Sequence, residues 1–110
     1  MNNKFLQFLG LTKRTGKLIE GYNKCEEVIK KEKIDLIIFS NDISIKTKEK
    51  FVYYCEKLSI PYIQCFTKTE LGEAIGRAEV NILSVTDINM AKKLLSHYET
   101  MMSQKTIGGE

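Results

Sequence analysis

Two short stretches hold the residue types that could do chemistry, and that chemistry is recognition rather than bond making. In the first, Gly21, Tyr22, Asn23 and Lys24 follow one another, with Lys13, Arg14 and Lys17 upstream and Glu27 downstream. A glycine opening a helix leaves the first backbone N–H groups without partners at the positive end of the helix dipole, a place suited to phosphate. The lysines and arginine add charge there, and the Asn23 amide offers a donor and an acceptor to a base edge. Tyr22 offers a ring to stack, and Glu27 can accept from guanine N–H groups. The second stretch, Arg77-Ala78-Glu79-Val80, stands between a helix and a strand and would supply an apolar and polar ledge beside the first. Structured RNA is the ligand such a set suits.

Each of these residues also has a plainer use. Asn favours local backbone bonds in a first helical turn, and Tyr22 can be an ordinary amphipathic surface ring. Glu27 has the spacing to pair with Lys24, Lys30 or Lys31. Lys30, Lys31 and Lys33 are interrupted by Glu32, so they read as a solvated helix end that balances the dipole and are not assigned to RNA. Gly72 and Gly76 serve a tight helix and turn rather than a ligand.

Nothing in the chain points to catalysis. His97, the only histidine, has no Asp, Ser or Cys motif beside it, which leaves no general-base constellation. Cys25, Cys55 and Cys65 lie far apart without CxxC spacing, so neither a metal site nor a disulfide framework is expected. They read as small buried hydrophobes in a reducing compartment. Gly10, Gly16 and Gly21 have the wrong spacing for a dinucleotide-binding loop, and no cofactor is expected.

At 110 residues the chain has room for one domain, expected over residues 1–99 with a flexible tail over 100–110. A hydrophobic fraction of 43% with 28% charged residues is that of a globular protein, and the net charge of +3 gives only a mild basic bias. There is no signal-peptide core and no apolar run near the roughly 18 residues of a membrane span, so a cytoplasmic protein without membrane contact is expected.

The elements that must position the two stretches follow from apolar spacing. Phe5, Phe8, Leu9 and Leu11 mark a helix over Lys4 to Arg14, stopped by Thr15-Gly16. Lys17 to Ile19 is an edge strand, and Gly21 opens a helix whose inward face is Cys25, Val28 and Ile29. Ile34 to Ser40 is nearly all apolar and β-branched, a strand covered on both faces and the expected sheet centre. Asn41-Asp42 signals a turn and cap before a helix over Lys46 to Leu58, packed through Phe51, Val52, Cys55 and Leu58 and closed before Pro61. Pro61 to Phe66 is a strand, Thr67 to Gly76 a helix capped by Thr67 or Thr69, and Val80 to Val85 a strand. Asp87 starts a last helix packed by Ile88, Ala91, Leu94 and Leu95, with periodicity fading from Thr100. Alternating helices and strands imply an α/β fold, a three-layer α/β/α sandwich around a mixed four-stranded sheet.

The order of several pieces resembles the ribosomal protein superfamily of the L seven Ae, L thirty e and S twelve e type, whose small bacterial members are called YlxQ-like. The pieces are Leu9-Gly10-Leu11 with Arg14 and Gly16-Lys17, Gly21-Tyr22-Asn23, Leu36 through Asp42, Cys55 with Ile60-Pro61-Tyr62, and Leu71 through Gly76. The resemblance implies the same sandwich, no enzyme activity, and binding to kink-turns, sharply bent RNA helices with sheared G·A pairs. It also implies that the second helix opens with a glycine and then Asn, Glu and, three residues later, Lys, which enter the RNA groove. Gly21 and Asn23 match, while Lys24 and Glu27 hold the two charges in exchanged order. Arg77 to Val80 falls where the family has its RNA-facing selectivity loop. The expected partner is ribosomal RNA or another kink-turn-containing RNA, bound by a monomer, with the ribosome as a possible host. A protein-interaction adaptor on the same fold is the alternative. A detached RNA-recognition domain of a methyltransferase is a third, which would still leave catalysis to another chain.

Overall fold

The computed structural model describes residues 3–108. The chain runs α1 (Lys4–Arg14), β1 (Leu18–Glu20), α2 (Tyr22–Ile29), β2 (Leu36–Phe39), α3 (Ile45–Leu58), β3 (Tyr62–Gln64), α4 (Lys68–Ala74), β4 (Ile82–Val85) and α5 (Ile88–Gly108). The sheet order is β1-β4-β2-β3, with β4 antiparallel to both neighbours and β2 parallel to β3. This is the mixed four-stranded sheet expected from the alternation of elements.

β2 is apolar throughout and β4 apolar except for Ser84, whose Oγ donates to Cys25 Sγ at 3.1 Å, and both are buried at every position, as strands covered on both faces must be. Alternation along β2 sends Leu36 and Ile38 to one face and Ile37 and Phe39 to the other. On the first face they pack with Phe5 and Leu9 of α1, Leu71 of α4 and Leu94 of α5. On the second they meet Cys25 and Ile29 of α2 and Phe51 and Cys55 of α3. Two helical layers therefore sandwich the sheet.

Several boundaries differ from the sequence expectation. The cap of α3 is Ser44, whose Oγ accepts from Thr47 N at 3.2 Å, rather than Asn41-Asp42. Asp42 instead accepts from Lys68 N at 2.8 Å, joining the β2–α3 loop to the start of α4. That start carries the expected Thr67 cap, reciprocated by Glu70. Leu58 and Ile88, expected to be buried, are 48% and 47% exposed. Both stand at helix ends, Leu58 beside the left-handed Ser59 and Ile88 in the first turn of α5.

The stretch from Thr100, expected to be a flexible tail, continues α5 as far as Gly108. Leu94, Tyr98 and Met101 keep helical spacing and lie in or against the core, and the Met101 sulfur accepts from Asn3 Nδ2 at 3.5 Å. Polar Thr100, and Ser103 and Gln104 beyond Met101, hid that period. Residues 109–110 of the expected tail lie outside the described residues.

Topology decides where the helix starts go. Because β4 is antiparallel to β1 and β2, the strands β1, β2 and β3 all point the same way. The starts of α2, α3 and α4 therefore gather at one pole of the sheet, together with the chain entering β4.

Candidate nucleic-acid interface

Gly21 opens α2 with φ +91° and ψ 165°, a backbone conformation that L side chains rarely adopt. Its N–H donates to Ile82 O at 3.0 Å, which ties the helix mouth to the start of β4. Cys25 N closes the first turn on Gly21 O, and no side chain caps the helix. Among the described residues no backbone partner takes the N–H groups of Tyr22, Asn23 and Lys24, which are left for a ligand or water at the positive dipole end.

The Arg77–Val80 segment lies across from this mouth. It is strapped to α4 by Arg77 N donating to Gly72 O at 2.9 Å and Val80 N donating to Lys68 O at 3.0 Å. Gly72 makes that approach possible: a Cβ there would stand 2.7 Å from Glu79 Cα. Gly76, at φ +79°, turns the chain between helix and loop. Gly21 and Tyr22, the β2–α3 loop, and Arg77 with Glu79 and Asn81 line one groove of about 390 Å³. The mouth of α2, through Gly21 and Tyr22, and the Arg77–Val80 loop are thus walls of a single groove, while Asn23, Lys24 and Glu27 lie outside its lining.

Residues 3–95 match the model of the Ribosomal protein L7Ae/L30e/S12e/Gadd45 family. The chain belongs to this family. It is 28% identical to the RNA-binding protein YlxQ of Bacillus subtilis over 84% of this chain and 93% of that protein. To the RNA-binding protein YlxQ of Enterococcus faecium it is 30% identical over 82% and 86%. A solved structure of a protein with unknown function from Bacillus halodurans superposes with a TM-score of 0.85 at 30% identity, covering 89% of this chain and 99% of that one. The Giardia lamblia 15.5kD RNA binding protein shares the fold, with a TM-score of 0.73 at 18% identity over 91% and 92%.

Within this L7Ae-family fold the expected site residues do not all behave alike. Asn23, Lys24 and Glu27 are exposed on α2 and carry no side-chain hydrogen bond or ion pair among the described residues. Glu27 thus makes none of the lysine pairs its spacing allows. The pair that forms is Glu26 with Lys50, whose ammonium also donates to Tyr22 Oη at 2.7 Å. That contact lowers the Glu26 pKa and raises that of Lys50. Tyr22 is 38% exposed, its ring set edge-on to Phe51 at 5.5 Å, so only part of it is open for stacking.

Lys13 and Arg77 are both held by Glu20, at 2.5 Å and 3.5 Å. Glu20 was not singled out in the sequence, where a lone acid at a strand end carries no signal. It joins α1, β1 and the Arg77 loop, and it partly neutralises two of the expected cations. Arg14 and Ala78 are exposed, and Glu79 pairs with Lys68 at 3.5 Å.

Two expectations need correction. Val80 is 4% exposed and belongs to the core cluster, so it anchors the ledge from beneath while still lining the groove. Lys17 does not flank the α2 mouth. Its carbonyl accepts from Thr86 N at the far end of β4, whereas Gly21 meets Ile82 at the near end. Four residues of extended chain separate the two, roughly 13 Å at about 3.3 Å per residue.

The cysteines are core residues. Burial pushes the Cys25 thiol up to about 11 and those of Cys55 and Cys65 up to about 12, which makes all three poor nucleophiles. Among the described residues no group of His, Cys, Asp and Glu could hold a metal ion, and the His97 ring packs tilted against Phe8 with centroids 5.7 Å apart. No described helix is long and apolar enough to cross a membrane.

Proposed function

We propose that this chain binds structured RNA, of the ribosome or of another cytoplasmic ribonucleoprotein, as a non-catalytic monomer, and that it favours a kink-turn-like bend. The observation that carries this reading is the shared groove, in which the uncapped N–H groups of α2 face a loop strapped to α4. The RNA-binding names of the YlxQ relatives and membership of a ribosomal protein family point the same way.

The major groove of regular A-form RNA is too deep and narrow for side chains to read. A sharp kink opens it, and the end of α2 can then enter with Asn23 at a base edge and the free N–H groups at phosphate. Lys24 and Glu27 are three residues apart and share a helix face. Their exchanged order therefore keeps one donor and one acceptor on that face: Lys24 donates to guanine O6 or N7 or to phosphate, and Glu27 accepts from guanine N–H groups. Binding the kinked conformer more tightly than the extended one shifts the RNA toward the kink by that difference in free energy.

The test is a titration of the full chain with a kink-turn RNA and with the same RNA whose sheared G·A pairs are replaced by Watson–Crick pairs. Binding of the kink-turn at least about tenfold tighter, a difference of about 1.4 kcal/mol, is expected. Equal affinity removes the preference for a bend, and no binding of either RNA at low salt removes the RNA reading altogether.

A further inference from the structure

We infer that the pole of the sheet opposite the α2 mouth is a docking surface for an acidic segment of another protein that carries apolar anchors. There the chain entering β2, the end of α3 and the start of α5 enclose a groove of about 680 Å³, larger than the 390 Å³ groove at the RNA pole. Its floor is apolar, with Ile29, Ile34, Ile60 and Leu95. Leu58 and Ile88 stand half exposed on its shoulders. Both are residues that helical spacing would have buried, and exposed apolar side chains gathered in one groove mark an interaction surface.

The rim settles the chemistry of the partner. Lys30, Lys31, Lys33 and Lys92 line it against Glu32 and Asp35. Lys33 pairs with Asp35 at 3.7 Å, which leaves Lys30, Lys31 and Lys92 facing outward against the single acid Glu32. An apolar floor inside a net basic rim complements a segment whose leucine-type side chains fill the groove while its carboxylates meet the lysines. RNA would satisfy the lysines but has no aliphatic side chains to cover Leu58 and Ile88. A second copy of this chain, docked by a two-fold axis, would bring the same lysine rim against itself. The acidic protein segment is the occupant that satisfies both features.

The experiment uses the full chain and amide chemical-shift mapping with a synthetic helical peptide that has leucines at helical spacing and glutamates elsewhere. Saturable shifts confined to residues 30–35, 58–61 and 88–95 are expected, with affinity reduced by about fivefold or more in Leu58→Gln and in the double variant Lys31→Glu, Lys92→Glu. The proposal is overturned if the peptide gives no saturable shifts at this pole, or if a version with lysine in place of glutamate binds as well. It is equally overturned if a short single-stranded RNA produces the same shifts, or if sedimentation shows a dimer that Leu58→Gln abolishes. Leu58, Lys31 and Lys92 are exposed, so the variants leave the core intact, and unchanged amide spectra away from this pole verify it. Titrating the same variants with kink-turn RNA reads the other pole, so failure here is distinct from failure of the RNA reading.

Discussion

The two poles of the sheet use the same ingredients in opposite ways. At the α2 mouth, helix starts converge, one of them uncapped, and several charged side chains are tethered: Lys13 and Arg77 to Glu20, Lys50 to Glu26 and Tyr22, Lys68 to Glu79. At the far pole lysines stand at the C-terminal end of α2, where they oppose its dipole, around an apolar groove. One pole offers fixed hydrogen-bond donors and positioned charge, and the other offers apolar area with mobile charge. Counting lysines along the chain would rank the far pole as the more basic. The proposed phosphate site lies at the pole with fewer free cations, because backbone N–H groups do not appear in a charge count.

The largest effect is expected at Gly72. Gly72→Ala forces a Cβ against the Glu79 backbone, so the ledge must move; a stability loss of about 1–3 kcal/mol is expected. Chemical denaturation measures it, and RNA affinity should fall in parallel while peptide binding at the far pole survives. Next in size is Asn23→Ala, for which base recognition predicts a loss of about 1–3 kcal/mol in kink-turn affinity and no change in stability, read by titration and thermal melting. A loss no larger than that for an arbitrary surface residue would reduce Asn23 to a solvated first-turn side chain.

A smaller effect separates the two lysines that sequence placed together. Lys24→Ala should lower affinity and reduce the slope of log K against log salt by about 1, whereas Lys17→Ala, at the far end of β1, should leave the slope nearly unchanged. Equal slopes for both variants would erase the distinction between the poles.

The smallest effect is in acid. Asp42 and Glu26 both have pKa values lowered in the folded chain, Asp42 first by the Lys68 backbone N–H and Glu26 first by the Lys50 hydrogen bond. A depressed carboxylate pKa contributes stability that is present above the ordinary values of 3.8 and 4.5 and is lost as the pH falls through the folded values. Amide protection factors, with the intrinsic pH dependence of exchange divided out, should therefore fall first around α2 and the start of α4. A uniform fall across both poles would contradict this.

Much of the architecture was legible because it depends on local chemistry. The apolar run at 34–40 read as a strand covered on both faces, that at 80–85 as a further strand, Thr67 or Thr69 as the cap of a helix, of which the structure uses Thr67, and Gly21 as an uncapped helix mouth. Asn23, Lys24 and the Arg77 loop were found for the same reason, since residue type and spacing say what a side chain can do, and their lying side by side was an expectation that these signals could not measure. What those signals lacked was distance between segments remote in sequence. Strand order alone brings the Arg77 loop to the α2 mouth and carries Lys17 a strand's length away. Pairing across the fold made Glu20 the tether of two cations and turned Val80 inward, and helix ends passing the edge of the sheet left Leu58 and Ile88 uncovered. The sequence by itself determined the elements and the repertoire of donors, acceptors and charges, because these follow from neighbours along the chain. Only the tertiary structure decided which of them share a groove, because that depends on the order and direction in which strands pair.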